Sequence, residues 1–98
     1  MEMKERFLKY IQIDTQSNES SKNCPSTDKQ YDLLKILKND LIEIGMDHVE
    51  LDSNGYIYAT LEKNVNKNKK NIGFIAQVDT APSFKEKNVN PIVINKYD

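Results

Sequence analysis

Ile72-Gly73-Phe74-Ile75-Ala76-Gln77-Val78-Asp79-Thr80-Ala81-Pro82 is an apolar run that ends in two polar side chains spaced i and i+2. In a strand, residues two apart share a face. A continuous apolar run of this length reads as a strand buried on both sides, and open α/β sheets gather their ligands at the carboxyl ends of such strands. The reading therefore expects a central strand over residues 72–78, with Gln77 and Asp79 pointing together into a site. The plainer alternative is a polar strand exit in which Asp79 accepts backbone N–H groups in a turn.

The chain on either side places this strand in a larger pattern. Met3, Phe7, Tyr10 and Ile11 recur at helical spacing and predict a first helix over residues 2–11. Residues 12–25 are polar and rich in Ser and Asn, a loop. Ser26 or Thr27 is then positioned to cap a second helix, whose stripe of Tyr31, Leu34, Leu37, Leu41 and Ile44 runs to a stop at Gly45. Residues 49–51 and 56–61 flank Asp52-Ser53-Asn54-Gly55, where Asn-Gly is a strong hairpin signal. A further strand is expected from Ile92 to Ile94. The order α-α-β-β-β-β fits an α/β class: two N-terminal helices followed by a mixed β-sheet.

Composition narrows the function classes. The 98 residues carry 14 Lys+Arg against 15 Asp+Glu, a formal net charge of -1, which gives no reason to expect nucleic acid or an anionic membrane as partner. Lys67, Lys69 and Lys70 lie among Asn64, Asn66, Asn68 and Asn71 and read as a solvated loop rather than a binding patch. There is no long apolar span, and residues 1–5 lead straight into the first helical pattern with no signal peptide, so a cytoplasmic location is expected. Cys24 sits in a polar loop with no second Cys or His at ligand spacing, and a catalytic role would need something to lower its pKa. His48, the sole histidine, has no ligand partner nearby in sequence and reads as a surface residue.

Several segments in order resemble one family. Arg6-Phe7-Leu8-Lys9-Tyr10 with Ile13-Asp14-Thr15-Gln16-Ser17, then Pro25-Ser26-Thr27, then Asp79-Thr80-Ala81-Pro82, then Lys87-Asn88-Val89-Asn90-Pro91 are similar to the N-terminal segments of peptidase T, a family of zinc-dependent tripeptide aminopeptidases. The resemblance implies that residues 1–98 are the truncated start of a two-zinc aminopeptidase catalytic domain. It further implies a cytosolic hydrolase that releases the N-terminal residue of tripeptides with metal-bound water. Members of that family are much longer, long enough for two domains.

The resemblance also locates a departure. The family's first metal-site motif reads His-x-Asp, and this chain has Gln77-Val78-Asp79. The resemblance makes Gln77 the position of a metal-ligand histidine and Asp79 the catalytic-site carboxylate that orients that histidine, a role carboxylates often take at metal sites. A glutamine carbonyl is a neutral hard oxygen donor, better suited to calcium or magnesium than to zinc. With the imidazole gone, Asp79 has lost the group it would orient. The family's bridging aspartate, Glu-Glu pair, further carboxylate and distal histidine match no residue of this chain. The sequence therefore leads to the expectation that the chain alone binds no zinc and hydrolyses no tripeptide. The alternative expectation is a non-enzymatic truncated gene product, or a subunit that self-associates or docks with a separately encoded remainder.

Overall fold

The computed structural model describes residues 1–66, 70–83 and 90–96, so Lys67, Lys69 and residues 87–89 of the last family-like segment lie outside the described residues. Two helices, α1 (Met3–Tyr10) and α2 (Gln30–Glu43), precede two strands, β1 (Asp47–Leu51) and β2 (Ile57–Thr60), which pair as an antiparallel two-stranded sheet. This is a small α/β arrangement in which α2 lies against β1 and, to a lesser degree, β2.

The C-terminus of α2 follows the sequence closely. Gly45 takes φ +94°, its N–H donates to Ile42 O at 3.1 Å, and the Met46 N–H reaches back to Leu41 O at 3.0 Å. These are the paired bonds by which a left-handed residue closes a helix and satisfies its last carbonyls. The N-terminus differs from expectation. Neither Ser26 nor Thr27 caps the helix; Lys29 occupies the cap position without a side-chain bond. The two hydroxyls are engaged elsewhere. Thr27 Oγ1 donates to Gln16 O at 2.9 Å, and Ser26 Oγ accepts the Asn18 N–H at 3.0 Å and the Gln30 side-chain amide at 3.3 Å. Bonds from Gln30, Tyr31 and Asp32 N–H to carbonyls three residues earlier wind the chain into the helix instead.

The buried face of α2 matches the expected stripe in part: Leu34 is buried, and Tyr31, Leu37 and Leu41 are half-buried. Leu33 and Leu34 are the buried apolar residues, Gln30 and Asp40 are buried beside them, and Ile44 is exposed. Asp40 can be buried because Tyr10 of α1 donates its hydroxyl to Asp40 Oδ2, so the carboxylate keeps a partner out of water. That bond ties α1 to α2, while Met3 and Phe7 of α1 remain exposed. Burial first, and the bond to Asp40 second, raise the Tyr10 phenol above its ordinary value of 10.0. A folded-state pKa raised above the unfolded one gives stability that is present below about pH 10 and lost as pH rises through the folded value. Alkaline titration should therefore release α1 from α2, and Tyr10→Phe should remove that pH dependence when helix docking is followed by NMR.

The hairpin forms where the sequence places it. Cα partners are Asp47 with Thr60, Glu50 with Tyr58 and Leu51 with Ile57, so β1 holds one extra residue between Asp47 and Glu50. His48 lies in that irregularity with φ 52°, a left-handed conformation that His tolerates better than most residues. It is on the surface as expected, its Nε2 3.3 Å from Glu62 Oε1, an ion pair when the imidazole is protonated. In the turn, Asp52 Oδ1 accepts the N–H groups of Asn54 and Tyr56, each at 2.9 Å. Gly55 takes φ +82°, and a Cβ placed there would lie 3.0 Å from Pro25 Cδ. Gly55→Ala is expected to cost the hairpin about 1–2 kcal/mol in left-handed strain alone, measurable as faster amide exchange in β1 and β2.

The expected strands over residues 72–78 and 92–94 are not formed. Among the described residues β1 and β2 are the only strands, and Ile72, Phe74 and Ile75 are 81%, 95% and 98% exposed. Ile92, Val93 and Ile94 are exposed as well. A two-face apolar strand needs neighbours on both edges and a layer over each face, and among the described residues nothing packs over either face of Phe74 and Ile75. The radius of gyration, 16.3 Å, exceeds the roughly 13 Å of a compact chain of this length.

Candidate functional site

The segment that carries Gln77 and Asp79 is held at its C-terminal end. Thr80 makes an isolated parallel bridge with Gln16: the Ser17 N–H donates to Thr80 O at 2.9 Å and the Thr80 N–H donates to Thr15 O at 3.2 Å. Ser17 Oγ adds a third bond to Thr80 O at 3.0 Å, and the Gln16 side-chain amide donates to Pro82 O.

Behind this bridge stands a polar relay into α2. The Gln30 side-chain amide donates to Thr27 Oγ1 at 3.1 Å, and Thr27 Oγ1 donates to Gln16 O. Asp14 Oδ1 accepts the Gln16 N–H at 3.1 Å, the Asx turn that Asp favours, while its Oδ2 meets Lys29 Nζ at 3.0 Å. Thr15, at the centre, is buried. In sequence, residues 13–17 read as part of the loop over 12–25 and as a point of family resemblance. Asp14 two residues before Gln16, in a stretch also holding Thr15 and Ser17, was the available signal that this loop folds back on itself.

Gln77 and Asp79 themselves are exposed. Val78 between them turns the other way and, with Phe7, Tyr10, Ile11, Ile13 and Leu33, lines an apolar groove of about 230 Å³ that also reaches Thr80. Thr80 Oγ1 is buried there with no hydrogen-bond partner among the described residues. Neither other candidate joins the pair. Cys24 is exposed and its Sγ donates to Asn54 O at 3.2 Å, fastening the loop before α2 to the hairpin turn, and His48 lies at the start of β1.

What this arrangement can hold follows from its donors. A catalytic zinc site takes three protein ligands and leaves a position for water. Gln77 and Asp79 offer a neutral amide oxygen and a carboxylate, and no group of three or more His, Cys, Asp or Glu side chains suited to a metal occurs among the described residues. The donors present do not fit zinc.

Comparison with known proteins gives the relationship. Peptidase T of Geobacillus thermodenitrificans is 50% identical over 97 residues, covering 99% of this chain and 24% of the relative. Peptidase T of Lysinibacillus sphaericus is 50% identical over 94 residues, and that of Staphylococcus epidermidis 48% over 94, each covering 96% of this chain and 23% of the relative. The chain is similar to the N-terminal portion of proteins named peptidase T. It spans about a quarter of the length of the curated peptidase T relatives it matches. No family model matches the chain. Among the described residues no helix is long and apolar enough to cross a membrane.

Proposed function

We propose that the chain carries the opening segment of a peptidase T-type aminopeptidase catalytic domain, and that residues 77–79 are its version of the first metal-site motif. In a full-length protein of this kind the activity is release of the N-terminal residue from tripeptides, with two zinc ions. The observation that supports this placement is the near end-to-end similarity to proteins named peptidase T, in the order of segments that surrounds Gln77 and Asp79. The 98 residues by themselves neither hold zinc nor hydrolyse tripeptides. Gln77 offers an amide oxygen where the family presents an imidazole, and Asp79 is a carboxylate with no imidazole to orient.

The test is direct. Calorimetric titration of the metal-stripped chain with zinc should show no micromolar site, and tripeptide turnover should match a metal-free control. Gln77→His should behave in the same way, because one restored imidazole leaves the ligand set incomplete. A micromolar zinc site or measurable turnover in either protein would overturn the reading.

A second reading has its own observation. Ile72, Phe74 and Ile75 are presented to solvent as a contiguous apolar run, which marks an interaction surface more than a finished exterior. On that reading the chain acts as a non-enzymatic docking subunit.

A further inference from the structure

The bonds that hold Thr80 are blind to its side chain. The Ser17 N–H and hydroxyl both donate to Thr80 O, the Thr80 N–H donates to Thr15 O, and the Gln16 side-chain amide donates to Pro82 O. Each ends on a main-chain atom of the segment, so these bonds alone would hold a residue two places away as well as Thr80. The difference matters for Gln77 and Asp79. A slip of one residue turns both to the opposite face, and a slip of two carries them roughly 6.6 Å along an extended segment.

Side chains on either side of the bridge decide among these registers. Val78 is half-buried in the groove beside Phe7, Tyr10 and Leu33, and its neighbours Gln77 and Asp79 are exposed. A slip of one residue would press an amide or a carboxylate into that apolar groove, at the cost of burying a polar group among apolar ones. Slips of two escape this cost, because Phe74, Ala76 and Val78 share one face of an extended chain and are all apolar. A slip that brings a later residue to the bridge puts Pro82 in the place of Thr80, and proline has no N–H to give Thr15 O. A slip the other way puts Val78 at the bridge and leaves Ala76 to fill the groove, which loses two packed carbons. Thr80 Oγ1, buried without a partner among the described residues, works against the observed register, so the seat of Val78 has to outweigh it. We propose that Val78 and Pro82 are positioning residues that set the register of residues 77–79: Val78 seats the segment in the groove, and Pro82 bars the slip that would carry it past Gln16. What this register serves rests on the reading of residues 77–79 as the metal-site motif, but the register itself is a property of the 98 residues.

The experiment exchanges two side chains of the 98-residue chain, Ala76→Val together with Val78→Ala, and follows amide exchange and methyl contacts by NMR below the concentration at which the chain associates. In the parent the Thr80 amide should be protected and the Val78 methyls should contact Leu33. In the exchanged variant protection should pass to the amide of residue 78, and the Leu33 contacts to the methyls of residue 76. The new register should be favoured about tenfold or more, the effect of two relocated methyl groups. Pro82→Ala, at an exposed position, should admit a second register in which the amide of residue 82 shares the protection. Ser17→Ala should weaken protection at Thr80 about fivefold, the size of one hydrogen bond, without moving it. Protection that stays at Thr80 in the exchanged variant overturns the proposal. So does a segment that detaches, with neither amide protected while the signals of α2 and the hairpin persist, and so does a single register after Pro82→Ala. Neither zinc nor turnover is read, so failure here is distinct from a failure of the zinc titration.

Discussion

If residues 77–79 are the first metal-site motif, as proposed, a full-length peptidase T carrying glutamine at the position equivalent to Gln77 is expected to lose at least ~10 to 100-fold in tripeptide turnover, the range that follows the loss of mere supporting contacts at a metal site. On that reading the loss is of a ligand itself. Neutral imidazole nitrogen binds zinc well, and an amide oxygen binds first-row metals less tightly. The zinc content of the purified variant should fall together with kcat, while substrate contacts made elsewhere keep KM within a few-fold. Turnover and zinc content equal to the parent would mean that the amide serves as a ligand, and Gln77 would then cease to mark this chain as departing from the family's chemistry.

The second large effect concerns the 98 residues on their own. Heated as a monomer, they should show a broad, weakly cooperative transition, bind a hydrophobic dye in the cold and associate as concentration rises. Leu33 and Leu34 are the whole of the buried apolar core among the described residues, and even a complete domain is stable by only about 5–15 kcal/mol. Uncovered apolar residues at 72, 74, 75 and 92–94 favour association instead. Phe74→Asp with Ile75→Asp should raise the concentration at which association begins by about an order of magnitude or more, as expected if each buried aromatic or aliphatic side chain contributes about 1.5–3 kcal/mol to self-contact. A sharp transition from a dye-free monomer would show that helices and hairpin suffice as a domain.

Local signals in the sequence were reliable where the chain supplies its own partners. Gly45 ends α2 because a left-handed residue is needed there, and Asp52 through Gly55 make the turn because a carboxylate and a glycine satisfy it within a few residues. The extent of α1 was nearly right for the same reason. The run over residues 72–78 failed as a strand because an apolar run reports that a segment tends to be buried and not what it would pair with, and no strand of residues 1–66 pairs with it. The stripe on α2 left out a buried acid: Asp40 reads as a solvent position in sequence, and Tyr10, thirty residues earlier, gives it a partner. Gln77 and Asp79 were picked out from neighbouring letters alone, and in the structure both are exposed. The bridge from Gln16 to Thr80 was not, because no spacing rule links residues so far apart.

That bridge has a kinetic side. Ser17 and Thr80 are 63 positions apart, and closing a flexible loop of that length costs about 4 kcal/mol by the logarithmic chain-entropy law. Three or four hydrogen bonds, each with a net worth of about 0.5–1.5 kcal/mol, barely offset it. The contact becomes favourable only after α2 and the hairpin have shortened the loop by folding within it. The backbone carrying Asp79 is then the last part of the molecule to take its place and the first to leave it, so any partner for that segment meets it in exchange between a fastened and a free state.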